Sequence, residues 1–212
     1  MHEFSTLALT RRSIRKYQDQ DIPLREIEEF IKIAASAPSG CNSQCWKFIA
    51  IKDKMILNQI VEAAMEKILE MTSTLKPEPS EEYLISKHKA LSFFVKAPVV
   101  IGVFMTGYQY YDPVLESAIK AQGFRDEAMM KLFGHPDILS VGAAVENLLL
   151  AVHAKGYGAC WMNEAAIAGV AINKILKMPL DYEFMSLIPI GIPAYTPREK
   201  KMKEFKEIFS RY

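Results

Sequence analysis

Cysteine is scarce in this chain of 212 residues: Cys41, Cys45 and Cys160 are its three, an odd number without repeated spacing, and no Asn-x-Ser/Thr acceptor occurs. Neither a disulfide framework nor a glycosylation site is indicated, and a reducing cytoplasm is expected. Net charge is almost absent at +1, so there is no broad basic field for nucleic acid or an anionic membrane, and any anion must be recognised locally. The longest apolar run, around Ala97 to Met105, is far short of a membrane span. Met1-His2-Glu3-Phe4-Ser5 lacks the basic-then-apolar layout of a signal peptide. A closed metal site wants four ligands, and His2, His88, His135 and His153 are scattered, so no metal is expected at Cys41 and Cys45. Gly156-Tyr157-Gly158 lacks the third glycine of a dinucleotide fingerprint, and no P-loop occurs. Ser13-Ile14-Arg15-Lys16 matches Ser-x-x-Lys without its companion motifs, which argues against acyl-enzyme chemistry.

What is present is a core. Half of the residues are hydrophobic, enough for one domain over residues 1–212. Leu24, Ile27, Phe30, Ile31 and Ala34 recur at helical spacing after Pro23, and Pro38 ends that helix. Trp46 to Ile51 reads as a short buried strand, and Leu57, Val61, Ala64, Ile68 and Met71 stripe a second helix. Lys76-Pro77-Glu78-Pro79-Ser80 is a break. The β-branched run from Val99 to Phe104 reads as a central strand. Residues 107–136 carry Tyr108, Tyr110, Tyr111, Phe124, Met129, Met130 and Phe133 at irregular spacing, interrupted by Asp112-Pro113 and Gly134. They are either a lid over a flat ligand or two short helices packed on the core or a subunit contact. Ser140 to Lys155 is a helix apolar on most faces and stopped by Gly156, which places it at the domain centre or, as favoured here, at a subunit interface; His153 on it reads as a hydrogen-bonded core residue. A strand from Tyr157 into a turn at Asn163, a helix with Ile167, Val170, Ala171 and Ile175, and a strand from Glu183 to Gly191 follow. The tail, about 195–212, is basic and amphipathic, anchored by Phe205, Ile208 and Phe209, and suited to crossing to a neighbour.

Two polar clusters flank the first of these helices. Arg11-Arg12-Ser13-Ile14-Arg15 supplies three guanidinium groups that suit anionic oxygens bidentately, plus a hydroxyl. Ala37-Pro38-Ser39-Gly40-Cys41-Asn42-Ser43-Gln44-Cys45-Trp46 supplies a turn whose backbone can approach a planar ligand, and carboxamides that can read polar ring edges. The pairing has the character of a cofactor cradle.

Four ordered signatures give the chain a relation. Arg-Arg-Ser-x-Arg, Pro-Ser-x-x-Asn-x-Gln-x-Trp, Gly-x-Cys-Trp-Met and Ile-Gly-Ile-Pro before a basic tail make it similar to the nitroreductase family of FMN-dependent oxidoreductases, over nearly its whole length. The resemblance implies an α+β fold with a mixed central β-sheet flanked by helices, in an intertwined homodimer with two FMN sites at the interface. It implies that Arg11 and Arg12, with Ser13 beside them, hold the FMN phosphate and ribityl region, and that Arg15 reaches the pyrimidine edge. Pro38, Ser39, Gly40, Asn42 and Gln44 would come from the partner subunit. Trp161, Met162 and Asn163 would border the ring with their backbone groups facing its reactive edge. Lys200, with Lys201 or Arg198 as alternatives, would reach the phosphate. Cys45 stands where many relatives carry proline and is read as a small packed residue rather than a redox partner.

The chemistry so implied is ping-pong: NAD(P)H gives hydride to flavin N5, and a small aromatic electron acceptor, nitroaromatic or quinone, then takes it. A fixed cation at Arg15 suits the electron density added at the pyrimidine end. No side chain is required as nucleophile or general acid. Dehalogenase, dehydrogenase or flavin-consuming reactions on the same fold, and a non-catalytic flavin-binding dimer, are the alternatives.

Overall fold

A computed structural model describes residues 2–110 and 112–212; Tyr111, counted above among the aromatic residues of 107–136, lies outside the described residues. The first elements are α1 (His2–Thr10), α2 (Leu24–Ala35), β1 (Trp46–Ile51), α3 (Lys54–Thr72), α4 (Glu81–Ser92) and β2 (Val99–Met105). They are followed by α5 (Pro113–Ala121), α6 (Asp126–Leu132), α7 (Pro136–Ala154), β3 (Gly158–Ala159), α8 (Gly169–Ile175), β4 (Glu183–Gly191) and α9 (Phe205–Ile208). The sheet order is β1-β2-β4-β3, and all three ladders are antiparallel. The four-stranded sheet is thus antiparallel, and the parallel pairing beside it is an isolated bridge between Ser13 and Ala159, outside the named strands.

Each face of the sheet carries its own apolar layer, because side chains alternate along a strand. Val99, Ile101 and Val103 of β2 face α2 and α7 through Ile27, Phe30, Val141, Val145 and Leu148. Val100 and Phe104 face α3, α4 and α8 through Leu57, Ile60, Leu91 and Ile172. The alternation slips once. Between Val103 and Phe104 the register with β4 shifts, leaving Met185 as an extra residue. The bulge explains why Phe184 and Leu187, three apart, face the same layer.

Several expectations need correction. Leu24 and Met71 are exposed at 61% and 58%, off the buried stripes of their helices. β1 is half-buried rather than buried, being an edge strand that pairs only with β2. Asp112-Pro113 is not an interruption but the start of α5, with the aspartate accepting from the Val114 and Leu115 N–H groups and proline in the first turn. Residues 107–136 form two short helices: α5 buries none of its residues, whereas Met129 and Met130 of α6 are buried. α7 begins at Pro136, earlier than expected, and Gly156 (φ 82°) follows its end. Its length and composition would suffice for a membrane span, but half of that window is buried against the sheet.

The strand expected from Tyr157 is reduced to Gly158–Ala159. Cys160 N–H donates to Pro189 O at 3.3 Å, but proline has no N–H to return, so the ladder breaks there and resumes at Met162 opposite Leu187. The helical stripe read through Ile167 and Val170 is out of phase. Glu164–Ala168 is 3₁₀, with three residues per turn, which exposes Ile167 and Val170 and buries Ala165, Ala168 and Ile172 instead. In the tail, Phe205 and Phe209 stack on each other (5.3 Å, 23°) and stay exposed.

Candidate functional site

The arginine cluster is built by a strap. After α1, residues 11–18 run extended along the outer side of β3 and the end of β4. Ile14 N–H donates to Ala159 O at 2.9 Å, Gln18 N–H to Ile192 O at 2.9 Å, and Ala194 N–H to Lys16 O at 3.0 Å. The Tyr17 hydroxyl donates within reach of both Ile14 O (2.5 Å) and Pro189 O (3.2 Å), and burial pushes its pKa far up. Ile14 is the inward residue, 4% exposed. Two glycines admit the strap: a Cβ at Gly158 would lie 2.5 Å from Ile14 Cγ1, and one at Gly191 would lie 2.7 Å from the Tyr17 ring.

The strap's outer residues line an open cleft of about 510 Å³ in which Arg11, Arg12, Ser13 and Arg15 meet Arg198 and Lys200. Its lining also includes Tyr195 and Thr196 and contains no carboxylate. Of the basic residues considered in the tail, Lys200 and Arg198 reach the cleft, and Lys201 is not part of its lining. Arg11 is oriented by Glu146 of α7 (3.6 Å). Arg12 donates to Leu9 O (2.6 Å) and Arg11 O (2.8 Å). Behind them His153 meets Thr10 Oγ1 at 2.9 Å; the threonine proton goes to Thr6 O at 2.6 Å, so Nε2 of His153 is the donor. Burial, then Arg11 and Arg12, hold the His153 pKa below its ordinary value. Cys160 is buried under the strap, with its thiol pushed up by that burial.

From Ala159 the chain leads along β4 to a second, apolar recess of about 420 Å³ between α7 and Trp161, with Asn163, Met185 and Ser186 in its wall. Trp161 is 40% exposed and lies over Gly142. Met162 corrects an expectation: its N–H and C=O are both bonded to Leu187 (3.1 and 2.9 Å) and its side chain is in the core, so its backbone groups are not free to face a ligand.

The turn at residues 38–44 stands elsewhere. Cys41, Asn42 and Gln44 have left-handed φ of 54°, 52° and 47°, uncommon for residues other than glycine or asparagine. Gly40 N–H donates to Ser140 Oγ (3.1 Å) and Gln44 N–H to Ser39 Oγ (3.0 Å). The Gln44 carboxamide donates to Asn42 Oδ1 (3.3 Å), and both side chains are exposed. Cys45 is fully buried against Asp137 O, as a packed residue would be. The turn enters β1 at Trp46, level with Met105, whereas Ala159 is level with Ile190 and so with Val99. Turn and strap therefore occupy diagonally opposite corners of the sheet, about 19 Å apart across the strands and about 20 Å along them. Within one chain they do not converge.

Sequence reasoning missed Tyr195, Glu146 and Ser140 as site residues, and had Tyr108 only as one of the aromatics of the 107–136 segment. Only Tyr195, two positions after the Gly-Ile-Pro turn, was signalled by a motif. A cavity of about 650 Å³ between α3, α8 and the start of β4 includes none of the cofactor-binding residues expected from the sequence.

The class defined here is an α+β protein with a cationic cleft at a strand edge and an apolar recess beside it. Residues 8–192 match the model of the Nitroreductase family, and the chain belongs to that family. It is 29% identical to an iodotyrosine deiodinase of Haliscomenobacter hydrossis over 87% of this chain and 76% of the relative. A BluB-like flavoprotein from Clostridium difficile superposes with a TM-score of 0.84 at 27% identity, covering 99% and 98% of the two chains. An iodotyrosine deiodinase solved with FMN and 3-iodo-L-tyrosine shares the fold, with a TM-score of 0.66, 22% identity and coverage of 98% and 97%.

Proposed function

We propose that the protein is an FMN-dependent oxidoreductase that uses NAD(P)H to reduce a small aromatic acceptor, nitroaromatic or quinone, as a homodimer in the cytoplasm. The observation that carries this reading is the cleft of Arg11, Arg12, Arg15, Arg198 and Lys200 without a lining carboxylate. Such a donor set suits a phosphate dianion, because guanidinium forks pair with its oxygens and the neighbouring carboxylate, Glu146, is paired with Arg11 outside the cleft lining. Relatives that bind FMN or are flavoproteins support the same assignment. Bound FMN supplies two-electron transfer between nicotinamide and acceptor.

The chain's own part is binding and field. Arg11, already steered by Glu146, would hold the phosphate together with Arg12 and Lys200, and Ser13 would add a hydroxyl. Arg15 is assigned to the pyrimidine edge, where its fixed charge lowers the energy of added electron density. Trp161 and Asn163, in the wall of the recess, would border the ring, and the apolar α7 wall would exclude water. A second copy would supply Pro38, Ser39, Gly40, Asn42 and Gln44, a reading supported by the diagonal separation of turn and strap within one chain and by the exposure of Phe205, Ile208 and Phe209 in the tail, which would cross to the partner. Its three free cysteines suit a reducing compartment.

The test is the visible spectrum of the protein purified after FMN loading. Yellow colour that bleaches anaerobically with NADH or NADPH and returns with menadione or a nitroaromatic is expected; a colourless protein that ignores FMN overturns the reading. The deiodinase relative at 29% identity favours one second reading, reductive dehalogenation. Return of colour with 3-iodo-L-tyrosine and release of iodide, but not with a quinone, would select it.

A further inference from the structure

Resting on the flavin reading above, we propose that Tyr108 is a positioning residue for the ring-reading turn: its hydroxyl fills the space that only glycine leaves open at position 40, and so sets the path of Gly40 to Gln44. A Cβ built at Gly40 would lie 2.4 Å from Tyr108 Oη and 3.3 Å from Tyr108 Cζ and Pro136 Cβ. The close approach is therefore to one hydroxyl oxygen, with the other two contacts only tight.

The turn needs such a prop. Three non-glycine residues within four positions are left-handed, and Cys41 and Gln44 have no intrinsic preference for that region. Conformations of this kind persist where the surroundings over-determine them. Here the surroundings are Ser140, which accepts the Gly40 N–H, and the segment after β2. In that segment Thr106 N–H donates to Cys45 O (3.0 Å), Gln109 N–H donates to Ser43 Oγ (3.0 Å), and Tyr108 lies between them against Gly40 and Cys41. Burial and the adjoining Cys41 thiol push the Tyr108 pKa up to about 12, so the hydroxyl stays protonated at neutral pH. The product of the fixed path is the Asn42–Gln44 carboxamide pair, held side by side and open to a ligand. Tyr108 also opens the 107–136 segment, so the same contact ties the base of that excursion to the turn.

The test is a double-mutant cycle of Gly40→Ala and Tyr108→Phe on the full-length protein. FMN dissociation constants, visible circular dichroism of the bound flavin and the melting temperature of the apoprotein are its readouts. Gly40→Ala is expected to weaken FMN binding at least tenfold in the wild-type background and at most threefold in the Tyr108→Phe background, where the clashing oxygen is gone. Tyr108→Phe alone is expected to weaken FMN about threefold to tenfold and to alter the flavin dichroism, with the apoprotein melting temperature unmoved. Equal penalties for Gly40→Ala in both backgrounds overturn the proposal. If Gly40→Ala does not fold, Tyr108→Phe decides alone: wild-type FMN affinity and dichroism overturn the proposal. A wild-type protein that takes up no FMN removes the flavin reading and this inference together; a wild type that binds FMN with additive substitutions removes this inference only.

Discussion

Gly158→Ala puts a methyl group where the strap touches the sheet. Its Cβ would meet Ile14 Cγ1, Cβ and Cγ2 at 2.5, 2.7 and 2.9 Å. Ile14 is β-branched and stiff at χ1 and sits buried, so no flexible end can turn aside. The strap must lift by about 1 Å to restore ordinary contact. Overpacking of this kind costs about 1–3 kcal/mol, and stretching the 2.9 Å bond from Ile14 N–H to Ala159 O costs about 1 kcal/mol more. For a chain of this size each kcal/mol lowers the melting temperature by about 2–4 °C, so a fall on the order of 5–15 °C is expected. The same lift displaces Ser13 and Arg15, and losing one hydrogen bond to a charged group costs about 1.5–3 kcal/mol, so FMN affinity falls about 10- to 100-fold. Thermal melts followed by fluorescence, and FMN titration below the transition, measure both. A variant melting within about 1 °C of wild type with unchanged FMN affinity refutes the idea that the strap is seated on Gly158.

Two further outcomes are expected. Arg15→Ala weakens FMN binding or slows its reduction by NAD(P)H about tenfold, in keeping with the loss of one charge-assisted hydrogen bond, and stopped-flow absorbance checks it; unchanged flavin content and unchanged kinetics refute the role. Because the His153 pKa is held below its ordinary 6.5 in the folded state, the unfolded chain binds the proton first on acidification. The stabilisation this residue gives is whole above about pH 6.5 and declines as pH falls toward its folded value, so His153→Gln flattens the pH dependence of denaturant unfolding below about pH 6.5.

The arginine strap and the tail's basic residues were legible because their chemistry is carried by residue type: guanidinium groups in sequence say anion wherever the chain takes them. The central strand Val99–Met105 was legible because its apolar run is short and β-branched. The corrections come where a tertiary fact overrides a local pattern. Pro189 breaks a ladder by lacking a donor for a residue 29 positions away; no pattern around Cys160 contains that. The 3₁₀ turn at Glu164–Ala168 changes the period in mid-pattern, so Ile167 and Val170 were read on the wrong face. Tyr108 and Ser140 act on Gly40 through space from segments 68 and 100 positions on, at steric and hydrogen-bonding distances that only coordinates supply.

The strap's partners have a temporal consequence. Tyr17 reaches Pro189 and Gln18 reaches Pro193 across 172 and 175 positions, and Lys200 lies further on still. A ribosome therefore releases the arginines long before anything exists to seat them against, and the anion pocket comes into being only when synthesis has passed Lys200. On the flavin reading, cofactor capture would be a late event that cannot template early folding, since the contacts that seat the pocket are non-local.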